Sequence, residues 1–269
     1  MITYPLSIEG TLTRAIEHGR GSDLVVFIHG VGARADRWRA NLPHLGTPER
    51  RCVALDLPGH GFAGKGPGFD YSVGGYAGFV AAFIRQQSAK RTRLIGTSLG
   101  GHIAATLACR DPQLVSGLML VGATGLFPIG VEARKNIAAR ILDRSREGIA
   151  RKLRHVVADP ALVTPEMVEE EFLVNNSPGA TESFAALGRY FVESLDDDVV
   201  GPALASHRAA LPIATVWGEA DRSVPLEIGQ RAAELIGQEP LRIIEGAAHA
   251  PYLEKAEAFN RIVEAFLSK

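Results

Sequence analysis

Short, unbroken apolar runs recur along this chain, and most of them are followed by a helical pattern. Leu24-Val25-Val26-Phe27-Ile28 is one such run; residues 92–95, 117–122 and 213–217 supply others. A strand that is apolar at consecutive positions buries both of its faces, as strands inside a parallel sheet do. Helices must then cover both sides of that sheet. The strand–helix–strand rhythm therefore predicts an α/β chain with a mostly parallel, twisted sheet flanked by helices.

The remaining elements follow from local pattern. Residues 4–17 predict a hairpin turning near Glu9-Gly10, with Leu6, Ile8, Leu12 and Ile16 in loose alternation. Trp38, Leu42 and Leu45 predict a short helix, and residues 52–57 a strand that ends in the turn Pro58-Gly59-His60-Gly61. Ser72 is expected to cap a helix carrying Tyr76, Phe79, Val80, Phe83 and Ile84 on one face. The last strand falls at 241–244, and the last helix carries Phe259, Ile262, Val263 and Phe266. Between 125 and 205 the rhythm breaks: the segment is helical, heavily charged and has no strand pattern. This predicts an α/β core from residues 1–124 and 206–269, with 125–205 inserted after the sixth strand as a helical cap over the sheet's C-terminal edge.

Composition narrows the function classes. A chain of 269 residues can bury a full hydrophobic core. A formal net charge of -1 argues against a nucleic-acid partner. The only cysteines, Cys52 and Cys109, lie in apolar-periodic segments and are expected to be free thiols, which suits a reducing compartment. The N-terminus lacks a basic region followed by an apolar run, and no apolar stretch reaches membrane-spanning length. The expectation is a soluble, cytoplasmic protein with a small-molecule substrate and no membrane partner, its oligomeric state left open.

The chemistry centres on Leu94-Ile95-Gly96-Thr97-Ser98-Leu99-Gly100-Gly101-His102-Ile103, a strand, a sharp turn and a helix start. Its turn has the pattern G-x-S-x-G, which exposes a serine hydroxyl at the top of a sheet on a strained backbone. Gly96 and Gly100 are expected because strand and helix pass very close there. A serine is a poor nucleophile without a base in hydrogen-bond reach and an acid that orients the base. In α/β order those partners follow as Ser…Asp/Glu…His, each just beyond a strand. The strand ending at Trp217 is followed by Gly218-Glu219-Ala220-Asp221, and the one ending at Ile244 by Glu245-Gly246-Ala247-Ala248-His249. The corresponding turn after the preceding strand, Gly122-Ala123-Thr124-Gly125, carries no acid. The loop His29-Gly30-Val31-Gly32, after a central strand, can present backbone N–H groups to a ligand.

On these motifs, together with Asp56-Leu57-Pro58-Gly59-His60-Gly61, the chain resembles the α/β-hydrolase family over nearly its whole length. The resemblance implies that Ser98 is the nucleophile, His249 the general base and acid, and Asp221, rather than Glu219, the orienting carboxylate. It further implies an oxyanion hole from the backbone N–H groups of Val31 and Leu99, and no cofactor. Within the serine branch the chain looks like small bacterial esterases and lactonases. It also resembles the carbon–carbon hydrolases of aromatic ring cleavage, which usually carry Asn before the serine, Trp after the histidine and a further Pro-Gly in the oxyanion loop. Here those positions hold Thr97, Ala250 and Gly32-Ala33-Arg34. Carboxylic ester or lactone hydrolysis is therefore the expected reaction, carbon–carbon cleavage the alternative, and a non-catalytic small-molecule receptor the remaining one.

Other polar residues have plainer readings. His29 and His60 are expected to brace their turns, and His102 to be a satisfied core histidine. The basic run from Arg134 to Arg154 reads as a solvated helix face, with a role toward an anionic substrate as the alternative. Trp38 either lines a pocket or packs beneath the glycine loop. The eight histidines show no zinc-ligand spacing, so no metal is expected.

Overall fold

The computed structural model describes residues 1–237 and 239–269. Its eight strands form one sheet in the order β1-β2-β4-β3-β5-β6-β7-β8. They are β1 (Ile2–Ile8), β2 (Thr11–Gly19), β3 (Asp23–Ile28), β4 (Arg50–Leu55), β5 (Arg91–Thr97), β6 (Gly117–Val121), β7 (Ile213–Gly218) and β8 (Arg242–Ile244). The hairpin β1–β2 turns through Glu9 and Gly10, both at positive φ, and joins the sheet antiparallel to β4. Every pairing from β4 to β8 is parallel.

Helices cover both faces. α1 (Leu42–Leu45), α2 (Val73–Arg85) and α3 (Leu99–Arg110) precede the break in rhythm, and α9 (Leu226–Ile236), α10 (Pro251–Glu254) and α11 (Ala256–Leu267) follow it. Alternate residues of β3 separate the two cores that result. Leu24, Val26 and Ile28 pack with α2 and α3, whereas Val25 and Phe27 pack with Trp38 and, from α11, Phe259 and Val263. Trp38 is fully buried against Phe27, Tyr252 and Phe259, which settles its role as packing. Ser72 caps α2 by accepting from the Gly75 amide at 3.0 Å. Both cysteines are free thiols.

The strand expected over 52–57 ends at Leu55, two residues early. The reason is chemical. The Asp56 carboxylate is recruited by Arg14 and by the Ala35 and Phe62 amides, and the Leu57 amide donates to His29 Nε2 at 2.9 Å.

Between β6 and β7 the chain forms α4 (Val131–Leu142), α5 (Arg146–His155), α6 (Pro165–Asn175), α7 (Ala180–Glu193) and α8 (Gly201–His207). α4 packs on α7 and α5 on α6, while α8 packs on α3 and α9 of the core. The boundary expected at 205 thus falls inside α8. No helix among the described residues is long and apolar enough to cross a membrane.

Candidate active site

Ser98 sits between β5 and α3 with φ +55° and ψ -122°, a conformation that costs a non-glycine residue about 1–3 kcal/mol. The surrounding structure holds it there. The Ser98 amide donates to Val121 O at 3.0 Å, and the amides of Gly101 and Thr124 both donate to Ser98 O. The turn is sharp because nothing larger than hydrogen fits at its flanks. A Cβ on Gly96 would lie 2.2 Å from Gly100 O, and one on Gly100 would lie 2.2 Å from Ile28 O.

Asp221 and His249 reach the same end of the sheet from the turns after β7 and β8. Asp221 Oδ1 accepts from the Ser223 and Val224 amides at 2.8 and 2.9 Å, and its Oδ2 accepts from His249 Nδ1 at 2.7 Å. With Nδ1 acting as donor, the neutral imidazole keeps Nε2 as its free lone pair. Glu219 turns away and accepts from the Gly246 amide at 3.0 Å on the exposed side. The acid-free turn after β6 also has a use. A Cβ on Gly122 would lie 3.0 Å from Asp221 Oδ2 and 3.1 Å from His249 Nδ1, at φ +49°. Gly122→Ala is therefore expected to cost about 1–2 kcal/mol of stability through the left-handed backbone alone. It should also lower kcat/KM about 10-fold or more by displacing the pair, since a misplacement near 1 Å can cost on the order of 100-fold. Thermal unfolding and the rate of turnover measure the two effects; wild-type values for both would refute the tight fit.

Ser98 and His249 line one cavity of about 370 Å³, together with Val31 and Leu99. Neither the Val31 nor the Leu99 amide donates to another group among the described residues, so both remain available to a ligand oxygen. Ser98 Oγ and His249 share the cavity without a hydrogen bond between them, a loose arrangement common in unliganded sites. The walls are mainly apolar and come largely from the helices between β6 and β7, including Ile141, Ile149, Leu153 and Phe184.

The histidines expected to brace do so. His29 donates through Nδ1 to Gly30 O at 2.8 Å and accepts the Leu57 amide on Nε2, and burial pulls its pKa below the usual range. His60 Nδ1 lies 3.1 Å from Pro58 O. His102 is buried in α3, where Nε2 donates to Asp198 O at 2.7 Å.

Two features lie outside the sequence reading, and a third bears on the alternative it left open for the basic run. First, a buried ion-pair cluster ties the glycine loop to α6. Glu171, 2% exposed, meets Arg34 at 2.8 Å and Arg37 at 2.6 Å. Burial pushes the Glu171 carboxyl up, and the two guanidinium groups oppose that. Second, the end of α5 is fastened to the turns that carry Asp221 and His249. The Ala250 amide donates to Val156 O at 3.1 Å, and Arg222 donates to Val157 O at 2.7 Å. Glu254 bridges the Ala158 and Ala248 amides. Third, the basic run read as a solvated face places Arg140, Arg151 and Lys152 on the cavity wall. Periodicity identifies which residues share a helix face; it does not say what that face meets.

Residues 25–262 match the model of the alpha/beta hydrolase family. The chain is 30% identical to the dihydrolipoyllysine-residue acetyltransferase component of the acetoin cleaving system of Cupriavidus necator, over 97% of this chain and 67% of that protein. It is 27% identical to the 2-hydroxy-6-oxo-2,4-heptadienoate hydrolase of Pseudomonas putida, over 96% of this chain and 94% of that one. Among solved structures, a meta-cleavage product hydrolase (CumD) variant superposes with a TM-score of 0.83 at 26% identity, covering 98% of this chain and 97% of that one.

Proposed function

The chain belongs to the alpha/beta hydrolase family, and from that premise we propose that it is a serine hydrolase acting on a small carboxylic ester or lactone. The observation that carries this reading is the convergence of Ser98 with the hydrogen-bonded Asp221–His249 pair on one largely apolar cavity. In the proposed reaction Ser98 Oγ attacks the substrate carbonyl while His249 Nε2 takes its proton. Asp221 fixes the imidazole tautomer and stabilises the imidazolium that forms. The Val31 and Leu99 amides hold the developing oxyanion, each contributing about 2.7–4 kcal/mol to lowering the barrier. The leaving alcohol departs with the proton from His249. Water, deprotonated by the same imidazole, then attacks the acyl-enzyme and releases the acid and the free serine.

A second reading has a specific observation behind it: the likeness to the heptadienoate hydrolase and to the meta-cleavage product hydrolase. Cleavage of a carbon–carbon bond next to a ketone would use the same serine, histidine and oxyanion donors. The residues flanking the site, Thr97 and Ala250, favour the ester reading.

Two measurements test the proposal. A fluorophosphonate should label the wild-type protein once, with the mass increase on the peptide containing Ser98. Activated esters of rising acyl length and a set of simple lactones should then be turned over, with an optimum set by the cavity. Labelling without turnover of any ester or lactone, combined with cleavage of a vinylogous diketone acid, would transfer the assignment to the second reading. No labelling and no turnover would leave a receptor on this fold.

A further inference from the structure

The cavity wall carries more positive charge than the proposed reaction uses. Arg140, in the last turn of α4, and Lys152, in the last turn of α5, line the cavity that holds Ser98 and His249. Among the described residues the Arg140 guanidinium meets only His155 Nε2, at 3.4 Å, and Lys152 Nζ meets only the Asp143 backbone carbonyl, at 2.7 Å. Neither forms an ion pair. The other cations of the same wall are matched: Arg37 by Glu171 and Arg151 by Asp143. Burial pulls the Lys152 ammonium below its usual range, so it sits in a place that costs free energy to charge. The helix dipole favours a basic residue in a last turn. It does not bring two of them, from different helices, to one cavity; Arg154, also in the last turn of α5, does not line it.

Position supplies the geometry. Val156, just past α5, accepts the Ala250 amide, next to His249. Lys152 is four residues earlier, about 6 Å along the helix axis at 1.5 Å per residue. An anion held on this wall shares the cavity with Ser98 and His249. Ile141, Ile149 and Leu153 provide apolar wall in the same cavity.

We propose that Arg140 and Lys152 form an anion subsite, and that the preferred substrate carries an ionised carboxylate separated from its scissile carbonyl by a short apolar spacer. The bound carboxylate would give Arg140 a counter-charge and add to the more distant fields of Asp143 and Glu171 at Lys152. The kinetic form of this inference rests on the ester reading above; its binding form does not.

The test compares the p-nitrophenyl half-ester of glutarate with neutral p-nitrophenyl valerate, which is similar in length. The wild type should prefer the charged ester in kcat/KM, and added salt should erode that preference. Arg140→Gln and Lys152→Met should each lower the charged-to-neutral ratio about 10-fold or more, the scale of a lost charge-assisted hydrogen bond. The charge-conserving Arg140→Lys and Lys152→Arg should retain most of it, and Lys135→Ala, at an exposed α4 position paired with Glu132, should leave the ratio as it was. Circular dichroism establishes that each variant is folded. In parallel, calorimetry measures binding of monomethyl glutarate to the wild type and to the Arg140→Gln/Lys152→Met double variant. A charged-to-neutral ratio that is the same in wild type and double variant overturns the subsite. If no ester is turned over but the wild type binds monomethyl glutarate and the double variant does not, the subsite stands and the ester reading falls. Absence of both turnover and binding overturns both.

Discussion

Ser98→Ala is expected to lower kcat for ester turnover by about four to six orders of magnitude, the scale seen when a serine nucleophile is removed from such an arrangement. Stability should change by no more than about 0.5 kcal/mol, because the side-chain hydroxyl makes no hydrogen bond among the described residues that would be lost. The backbone strain at φ +55° is common to serine and alanine and cancels in the comparison. His249→Ala should fall nearly as far. The decisive variant is the double one. If the two side chains act as a unit, Ser98→Ala/His249→Ala will be no slower than Ser98→Ala alone, since only oxyanion stabilisation and binding remain in either. Independent, multiplying losses would mean that the imidazole does not serve this serine.

The second large effect concerns the scaffold. Asp56→Ala is expected to reduce the unfolding free energy by about 3–5 kcal/mol, as removal of one partner from a buried ion pair does. The Asp56 side chain is fully buried. It accepts from Arg14 Nε and Nη2 at 2.8 and 3.1 Å, and from the Ala35 and Phe62 amides at 2.8 Å each. Alanine would leave two amides unpaired and Arg14 with Asp36 alone. Urea unfolding measures the loss, with the midpoint falling and the slope preserved. Asp56→Asn, which keeps the shape and part of the hydrogen bonding, should lie between. A loss under about 1 kcal/mol for the alanine variant would show that water or a rearranged loop replaces the carboxylate. Because Ala35 ends the segment that begins with Gly30 and Val31, the same substitution should also depress turnover.

The elements proposed to carry the chemistry are legible because their signals are local. G-x-S-x-G states its own turn, Asp221 and His249 each fall a few residues past an apolar strand, and Ser72 stands at the start of a periodic helix. What stayed hidden depends on which surfaces meet. Arg37 and Glu171 bond across 134 positions, and nothing in either neighbourhood marks the partner. Arg140 and Lys152 lie in helices whose charge density suggests water, yet both reach the cavity wall. The end of β4 was misplaced for a similar reason. Asp56 and Leu57 extend the strand pattern, and the Asp56 amide still donates to Arg14 O of β2, but the Asp56 carboxylate and the Leu57 amide are taken up by Arg14, Ala35, Phe62 and His29.

The fastening of α5 has a consequence for inheritance and for engineering. Val156 and Val157 offer their carbonyls to Ala250 and Arg222, and Glu254 reaches from α10 to the amides of Ala158 and Ala248. The excursion between β6 and β7 is thus not a detachable module. A chimera that imports a foreign segment there while keeping Arg222 and Glu254 would take from Arg222 its carbonyl partners and from Glu254 the Ala158 amide, beside the very turns that hold Asp221 and His249. A workable graft has to transfer those two side chains with the segment they grip, so its C-terminal breakpoint lies past residue 254 rather than at the end of the insertion.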